Sequence, residues 1–385
     1  MSALTILADE NIPLAREAFG TLGEVRLLHG RRITRDALSD VDLLIVRAIT
    51  NVDRSLLAGS PVRFVGTATS GSDHVAIDEL APMGVAFYAA LGCNANAVAE
   101  YMVAAWLTLA RRRGRPLAGR RVGIVGVGHV GSLVADKARA LGMVPVLNDP
   151  PKARETGDAR YRPLDELFDC DIITCHTPLT RDGLDPTYRL ISDQFFSRLT
   201  PGAWFCNAGR GEVVDEAALG RALDRGHLGA AVLDVWDHEP AIDHQLVARV
   251  DIATPHIAGY SLEGKLNGTA MVYTAACRFL GVEPIWVGEA EAPPPPVPRI
   301  TVAVAERTDV DVLADVVAAV YPITRDDEAL RRTAMMTSAE RGAAFDQLRA
   351  TYPMRREFRQ TAVAITGGSS ALTNTLRALQ FRVTP

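Results

Sequence analysis

Residues 123–131 read GIVGVGHVG, a stretch that decides the fold class because its glycines recur at the spacing GxGxxG. The residues before it are typical of a buried strand, and His129 begins a helical pattern. In this context Gly126 permits a tight turn, Gly128 lets a pyrophosphate approach the backbone, and Gly131 lets helix and strand pack closely. The helix N-terminus offers N–H groups to the phosphates. The stretch therefore predicts a Rossmann dinucleotide-binding domain.

An acidic residue follows the next predicted strand at the distance that this motif requires. Asp149 ends the run VPVLND, about 20 residues after the glycines. Its carboxylate can accept hydrogen bonds from both ribose hydroxyls of NAD and would repel the additional phosphate of NADP. Arg154 is a nearby basic residue, but it lies beyond two prolines. We therefore predict NAD as the cofactor.

Short apolar runs alternate with helical patterns on both sides of the glycine motif. The runs before it are LTILAD, DLLIVRA, RFVGTAT and VAFYAA, and those after it include CDIITCHTP, GAWFCNAGRG, AAVLDVW and VDIATPHIA. This alternation is typical of parallel sheets covered by helices, whose ligands bind at the carboxyl ends of the strands. The predicted fold class is α/β, with two doubly wound parallel-sheet domains and a small α+β domain at the C-terminus.

A change of composition divides the chain. The segment EAEAPPPPVPR contains four consecutive prolines, which favour an extended spacer. We expect a substrate domain at 1–95 and 258–287, an NAD domain at 96–257, a linker at 288–298 and a dimerisation domain at 299–385. The last domain contains no obvious catalytic constellation, and we expect it to pair the subunits of a homodimer.

The bulk composition excludes several classes of protein. A net charge of −5 over 385 residues gives no general reason to bind nucleic acid or an anionic membrane. The five cysteines are scattered without CxxC spacing, as expected of reduced thiols rather than of disulfides or a metal site. The opening LTILADEN is typical of a strand and not of a signal peptide. We expect a cytoplasmic protein without a metal site.

Three polar residues at predicted strand ends could perform proton transfer. Arg210 lies between glycines in NAGRG and could hold a carboxylate. Glu239 in DVWDHEP could fix the tautomer of His256 in TPHIAGY, which would then exchange a proton with a substrate. These residues taken singly also allow a structural interpretation, in which His256 is a packed core residue and the other two are surface charges.

The set GIVGVGHVG, HTPLT, NAGRGEVVDEAAL, LDVWDHEP and TPHIAGY resembles the NAD-dependent D-2-hydroxyacid dehydrogenases, in the same order and over roughly residues 1–285. The resemblance implies that Arg210 orients the substrate, that His256 is the acid/base and that Glu239 is its partner.

Further stretches, among them ADENIP, VGTATSGSDHV, GCNANAVAEY, LDPTYRLI and PHIAGYSLEGK, are similar to the members of that family that oxidise 4-phospho-D-erythronate in vitamin B6 biosynthesis. This resemblance implies substrate contacts from Ala48, Thr69 and Tyr260. It implies NAD contacts from the turn Gly128-His129-Val130, Asp149, Thr177, the segment Ala208-Gly209-Arg210, Asp234 and Gly259. Those members usually carry a serine where Ala48 stands, so only a backbone contact could remain there.

Two other functions stay open at this point. The chain could be a related dehydrogenase that acts on 3-phosphoglycerate or on an unphosphorylated hydroxy acid. It could also be a non-enzymatic protein that senses NAD on the same fold. The sequence does not identify the residues that hold a substrate phosphate, although Arg47 is one basic candidate.

Overall fold

The structure is a computed structural model that describes residues 4–288 and 292–384. It divides into two compact units. The first holds the described residues of Met1–Ala95 and Tyr260–Pro294, and the second holds those of Asn96–Gly259 and Pro295–Pro385. Residues 289–291 of the expected linker lie outside the described residues. In the described ranges, no helix has the length and apolar character that crossing a membrane requires.

The strands and helices follow in chain order. The strands are β1 (Thr5–Asp9), β2 (Glu24–Leu28), β3 (Leu43–Val46), β4 (Phe64–Thr67), β5 (Ala86–Ala89), β6 (Arg121–Val125), β7 (Val144–Asn148), β8 (Ile172–Cys175), β9 (Ala203–Asn207), β10 (Leu228–Leu233), β11 (Ile252–Ala253), β12 (Arg299–Ala303), β13 (Ala362–Thr366) and β14 (Arg382–Thr384). The helices are α1 (Ala15–Phe19), α2 (Arg54–Leu57), α3 (Ile77–Leu80), α4 (Ala95–Arg113), α5 (His129–Ala140), α6 (Pro150–Thr156), α7 (Asp193–Arg198), α8 (Glu216–Asp224), α9 (His244–Arg249), α10 (Leu262–Leu280), α11 (Asp309–Val320), α12 (Ile323–Arg332), α13 (Ser338–Ala350) and α14 (Ser370–Ala378).

The first unit is a five-stranded sheet in the order β2-β1-β3-β4-β5, and all its neighbouring strands are parallel. Strand β3 is buried along its whole length because apolar clusters cover both faces of the sheet. One cluster includes Phe19 of α1 and Val272 of α10, and the other includes Leu57 and Leu80. A buried parallel sheet is what the continuous apolar runs predicted.

The second unit contains a six-stranded parallel sheet in the order β11-β10-β9-β8-β6-β7. Its central strands β8 and β9 are fully buried. Helix α5 follows β6 directly, as the glycine motif predicted. Together with the sheet of the first unit, this arrangement confirms the predicted α/β class.

The C-terminal segment adds a third sheet to the second unit. Its three strands run parallel in the order β12-β13-β14. Leu330 of α12 and Phe345 of α13 are buried in the same apolar cluster as Trp236. The guanidinium of Arg331 donates to the backbone carbonyl of Val247 at 2.6 Å. These contacts join the segment to the stretch between β10 and β11, which includes α9.

Candidate active site

The residues predicted to bind NAD and to carry catalysis lie in the loops that follow strands β6 to β11. Since these strands are all parallel, their carboxyl ends meet at one edge of the sheet. The strand order reverses between β6 and β8, the position at which doubly wound sheets bind dinucleotides. The loops contain Gly126–Gly131 after β6, Asp149 after β7, Thr177 after β8, Ala208–Arg210 after β9, Asp234 after β10 and His256 after β11.

The loop after β6 has the geometry of a phosphate cradle. Gly126 has a φ of +85°, and a Cβ there would come within 2.8 Å of the Thr177 side chain. A Cβ on Gly131 would lie 2.0 Å from the carbonyl oxygen of Gly126, so only glycine allows this close approach of helix and turn. In contrast, a Cβ on Gly128 would meet no atom within 4 Å. The space beside Gly128, the N-cap of α5, is therefore open to a phosphate group.

Asp149 holds this loop with both carboxylate oxygens. One oxygen accepts from the Val127 N–H at 2.9 Å, and the other caps α6 by accepting from the Lys152 N–H at 3.1 Å. The Lys152 ammonium donates to the Val127 carbonyl at 2.6 Å. Arg154, the basic residue that could have favoured NADP, instead pairs with Asp185. The Asp149 carboxylate therefore lies at the end of the second strand of the motif, the position that contacts the adenine ribose of a dinucleotide in this fold.

Two buried polar atoms just after β8 have no hydrogen-bond partner in the described part of the chain, the ring Nδ1 of His176 and the hydroxyl oxygen of Thr177. Thr177 lies against the turn at Gly126. The preceding His176 is bonded to Thr174 through Nε2 at 2.9 Å, and burial lowers its pKa to about 3. His176 is therefore neutral, and the Thr177 hydroxyl is available to a ligand. The glycine cradle and this hydroxyl together fit NAD.

His256 and Glu239 form a hydrogen-bonded pair. The imidazole Nδ1 lies 2.7 Å from a carboxylate oxygen of Glu239, whose other oxygen accepts from the Trp236 N–H at 2.9 Å. The side chains are 34% and 19% exposed, so the imidazole ring is partly open to solvent while the carboxylate is largely covered. Burial alone would raise the pKa of Glu239, but the His256 ring and the Trp236 N–H lower it overall. The carboxylate is therefore ionised at neutral pH and fixes the orientation of the imidazole.

Asp234 holds the segment that carries His256. Its carboxylate is 1% exposed and accepts three hydrogen bonds, from the Thr254 hydroxyl at 2.6 Å, the Ile257 N–H at 2.8 Å and the Ala258 N–H at 2.9 Å. Its backbone carbonyl accepts from the His256 N–H at 2.7 Å. His256 has a φ of +56°, a left-handed conformation that costs a non-glycine residue about 1 kcal/mol or more. The hydrogen bonds of Asp234 maintain this conformation.

Arg210 lies beside the loop that carries Glu239. The next residue, Gly211, packs so closely on Trp236 that a Cβ there would lie 2.0 Å from the Trp236 carbonyl oxygen. The Asn207 amide donates to the Arg210 carbonyl at 2.8 Å and fixes the backbone of the turn. Arg210 is partly exposed, as a side chain that receives a carboxylate has to be. The structure thus brings Arg210, Glu239 and His256 to one edge of one sheet.

The residues predicted to bind the substrate lie in the first unit. Ala48 is exposed just after β3. The Thr69 hydroxyl follows β4 and donates to the Gly71 carbonyl at 3.0 Å, and it also lies 2.8 Å from the Thr67 hydroxyl. The ring of Tyr260 lies 4.9 Å from the ammonium of Lys265.

Sequence reasoning missed one residue at the edge of the NAD-binding sheet and one residue of the first unit. Thr254 links the Asp234 carboxylate to the phenol of Tyr101, 2.8 Å from its hydroxyl, and only the fold brings these three residues together. Lys265 is the last residue of the quoted stretch PHIAGYSLEGK and lies one helical turn after Ser261, the N-cap of α10. Its place in that stretch was a signal that could have been used. Burial and the charge of Arg47 lower the pKa of Lys265 to about 8.

Comparison with protein families agrees with this geometry. The NAD-binding domain of the D-isomer specific 2-hydroxyacid dehydrogenases matches residues 86–258, and a domain of unknown function (DUF3410) matches residues 293–379. The erythronate-4-phosphate dehydrogenase of Stutzerimonas stutzeri is 47% identical over 98% of this chain and 99% of its own length. The enzyme of the same name from Cronobacter sakazakii is 48% identical over 92% of each chain.

Solved structures share the fold of most of the chain. The 3-phosphoglycerate dehydrogenase of Entamoeba histolytica with bound NAD⁺ is 25% identical, with a TM-score of 0.62 over 73% of this chain and 96% of that one. The NAD-dependent formate dehydrogenase of Staphylococcus aureus, in complex with NAD, is 24% identical, with a TM-score of 0.60 over 74% of this chain and 97% of that one.

Proposed function

The chain belongs to the erythronate-4-phosphate dehydrogenases, and on that premise we propose that it oxidises the 2-hydroxyl of 4-phospho-D-erythronate in vitamin B6 biosynthesis. The chain is an NAD-dependent dehydrogenase, and the product of the proposed reaction is (R)-3-hydroxy-2-oxo-4-phosphooxybutanoate. The observation that carries the proposal is the 2.7 Å pair of Glu239 and His256 at the carboxyl edge of the NAD-binding sheet.

His256 is the general base of the proposed reaction. Its Nδ1 faces Glu239, so Nε2 accepts the proton of the substrate hydroxyl. The carboxylate of Glu239 stabilises the imidazolium that forms. Arg210 holds the substrate carboxylate and polarises the developing carbonyl. Bound NAD⁺ supplies the hydride acceptor.

The cofactor and substrate contacts complete the proposal. NAD would be held by the cradle Gly126–Gly131 with further contacts from Thr177, Ala208–Arg210, Asp234 and Gly259, and Asp149 would accept hydrogen bonds from its adenine ribose. The Asp234 carboxylate also accepts three hydrogen bonds from the segment that carries His256, so it orders that segment beside the NAD site. Ala48, through its backbone, contacts the substrate together with Thr69 and Tyr260.

We also propose an organisation for the whole protein. Residues 1–95 and 258–287 bind the substrate, and residues 96–257 bind NAD. Residues 288–298 link these domains to residues 299–385, which pair two subunits in a cytoplasmic homodimer. All five cysteines are buried free thiols, which suits a reducing compartment. Sedimentation equilibrium of the full chain tests the pairing. A mass of one chain at micromolar concentration would reject the homodimer.

The substrate is tested by NADH formation with 4-phospho-D-erythronate, 3-phosphoglycerate and D-glycerate in parallel. Any NADH that co-purifies is first quantified, and a carbonyl trap removes the product because oxidation of a hydroxy acid is uphill. We expect a clear preference for the four-carbon phosphate. Turnover of the other acids alone would reject the substrate but keep the dehydrogenase, whereas retained NAD binding with no turnover of any acid would favour the NAD-sensing function.

A further inference from the structure

Two cationic side chains of the first unit lie at the same edge of its sheet. Strand β3 pairs with β4 so that Val46 lies opposite Thr67, and the N–H of Ala68 donates to the Val46 carbonyl at 3.0 Å. Arg47 is the residue that follows β3. It therefore emerges at the carboxyl end of the sheet, beside the residues that follow β4, and it precedes Ala48 in the chain.

Helix α10 brings Lys265 to that edge from a distant part of the chain. A Cβ on Gly66 would lie 2.3 Å from Val272, and a Cβ on Gly268 would lie 2.6 Å from the Ala68 carbonyl oxygen. The helix thus runs along β4 with its N-terminal end toward the carboxyl end of the strand. Lys265 lies about 4.5 Å further along the axis, at 1.5 Å per residue, and so projects past the strand end. Its ammonium lies 4.9 Å from the ring of Tyr260.

The two cations are close enough to disfavour each other's charge. The pKa of Lys265 falls to about 8 through burial and the neighbouring charge of Arg47. In the described ranges of the chain, neither Arg47 nor Lys265 forms an ion pair with a carboxylate. Two partly buried cations beside each other without an anion are costly, and a bound dianion would offset that cost.

We infer that Arg47 and Lys265 form the subsite for the phosphate end of the substrate. The inference rests on the proposed function, since it assigns a position to the group that distinguishes 4-phospho-D-erythronate from an ordinary hydroxy acid. A phosphate monoester carries a charge of about −1.5 to −2 at neutral pH and three acceptor oxygens. The guanidinium offers a planar pair of donors and the ammonium offers a point charge, a combination suited to such a group.

The test compares two substrates in two variants. Lys265→Met and Arg47→Gln each remove one charge, and Arg278→Gln removes an exposed charge from the last turn of the same helix as a matched control. We expect kcat/KM for 4-phospho-D-erythronate to fall on the order of 10- to 100-fold in each variant, as for the loss of a charge-assisted contact. Activity on unphosphorylated D-erythronate should change less than about twofold, and the control should resemble the wild type. Equal losses on both substrates, or no loss on the phosphorylated one, would overturn the inference.

A second measurement does not depend on turnover. Calorimetric titration of the NADH-loaded full chain with inorganic phosphate should show weaker binding in both variants and an unchanged affinity in Arg278→Gln. Unchanged affinity in all three would overturn the subsite. If the wild type did not oxidise 4-phospho-D-erythronate while the variants still lost phosphate affinity, the proposed substrate would be wrong and the subsite would stand.

Discussion

The substitution Asp234→Asn should release the segment that carries His256. It exchanges a carboxylate oxygen for an NH₂ group in a side chain that is 1% exposed and accepts from Thr254, Ile257 and Ala258. One of those donors then faces another donor and has no acceptor. A hydrogen bond to a charged group contributes about 1.5–3 kcal/mol, and an unpaired buried N–H costs about 1–3 kcal/mol. Since these two contributions overlap, we expect the free energy that stabilises the segment 254–259 to fall by about 2–4 kcal/mol.

Hydrogen exchange of the peptide that spans residues 254–259 measures this loss directly. At 1.4 kcal/mol per factor of ten, the amides of Ile257 and Ala258 should exchange roughly 30- to 700-fold faster. Because His256 then leaves its left-handed conformation more readily, kcat should fall by up to about 100-fold. The control Asp243→Asn changes an exposed N-cap of α9, where asparagine caps equally well. Wild-type protection of both amides in Asp234→Asn, with unchanged kcat, would refute the assigned role of the carboxylate.

Three further outcomes follow from the site. In His256→Asn the new asparagine tolerates the left-handed backbone, and we expect kcat to fall about 10²–10⁴-fold because the proton acceptor is lost. NADH titration should show an unchanged Kd. Near-normal turnover would contradict the assignment of His256 as the base. Gly131→Ala should lower the melting temperature because the new Cβ would lie 2.0 Å from a carbonyl oxygen. Gly128→Ala should keep the melting temperature, since its Cβ would have no atom within 4 Å, but it should weaken NAD binding. Since the folded pKa of Glu239 is lowered, its contribution to stability is present above its unfolded value of about 4.5 and is lost as the pH falls through the folded value. The stability difference between wild type and Glu239→Gln should therefore narrow below about pH 4.5, and a constant difference from pH 7 to pH 3 would contradict this pairing.

The cofactor loop could be predicted because its requirements are local. Gly126, Gly128 and Gly131 lie within six residues, and each meets a steric need of a single strand–turn–helix unit. The buried central strand β3 was equally readable, since both of its faces are apolar. Strand β2 was missed because its pattern Glu24–Leu28 is mostly exposed at the sheet edge and carries charges, which leaves no apolar run to recognise.

Residues far apart in the chain acquire their roles only in the fold. The sequence identified Glu239 and His256 as candidates, but their 2.7 Å contact depends on two loops that follow different strands. It also placed Asp234 among the NAD contacts, and the structure adds that its buried carboxylate accepts hydrogen bonds from the segment that follows β11. Arg47 and Lys265 come to the same edge of the sheet because α10 returns along β4 toward the carboxyl ends of the strands. Short-range steric requirements and hydrophobic periodicity depend only on neighbouring residues, so they can be recognised in the sequence. The distance between charges at a sheet edge depends on strand order and on helix packing. These depend on residues far apart in the chain, so no local sequence pattern predicts them.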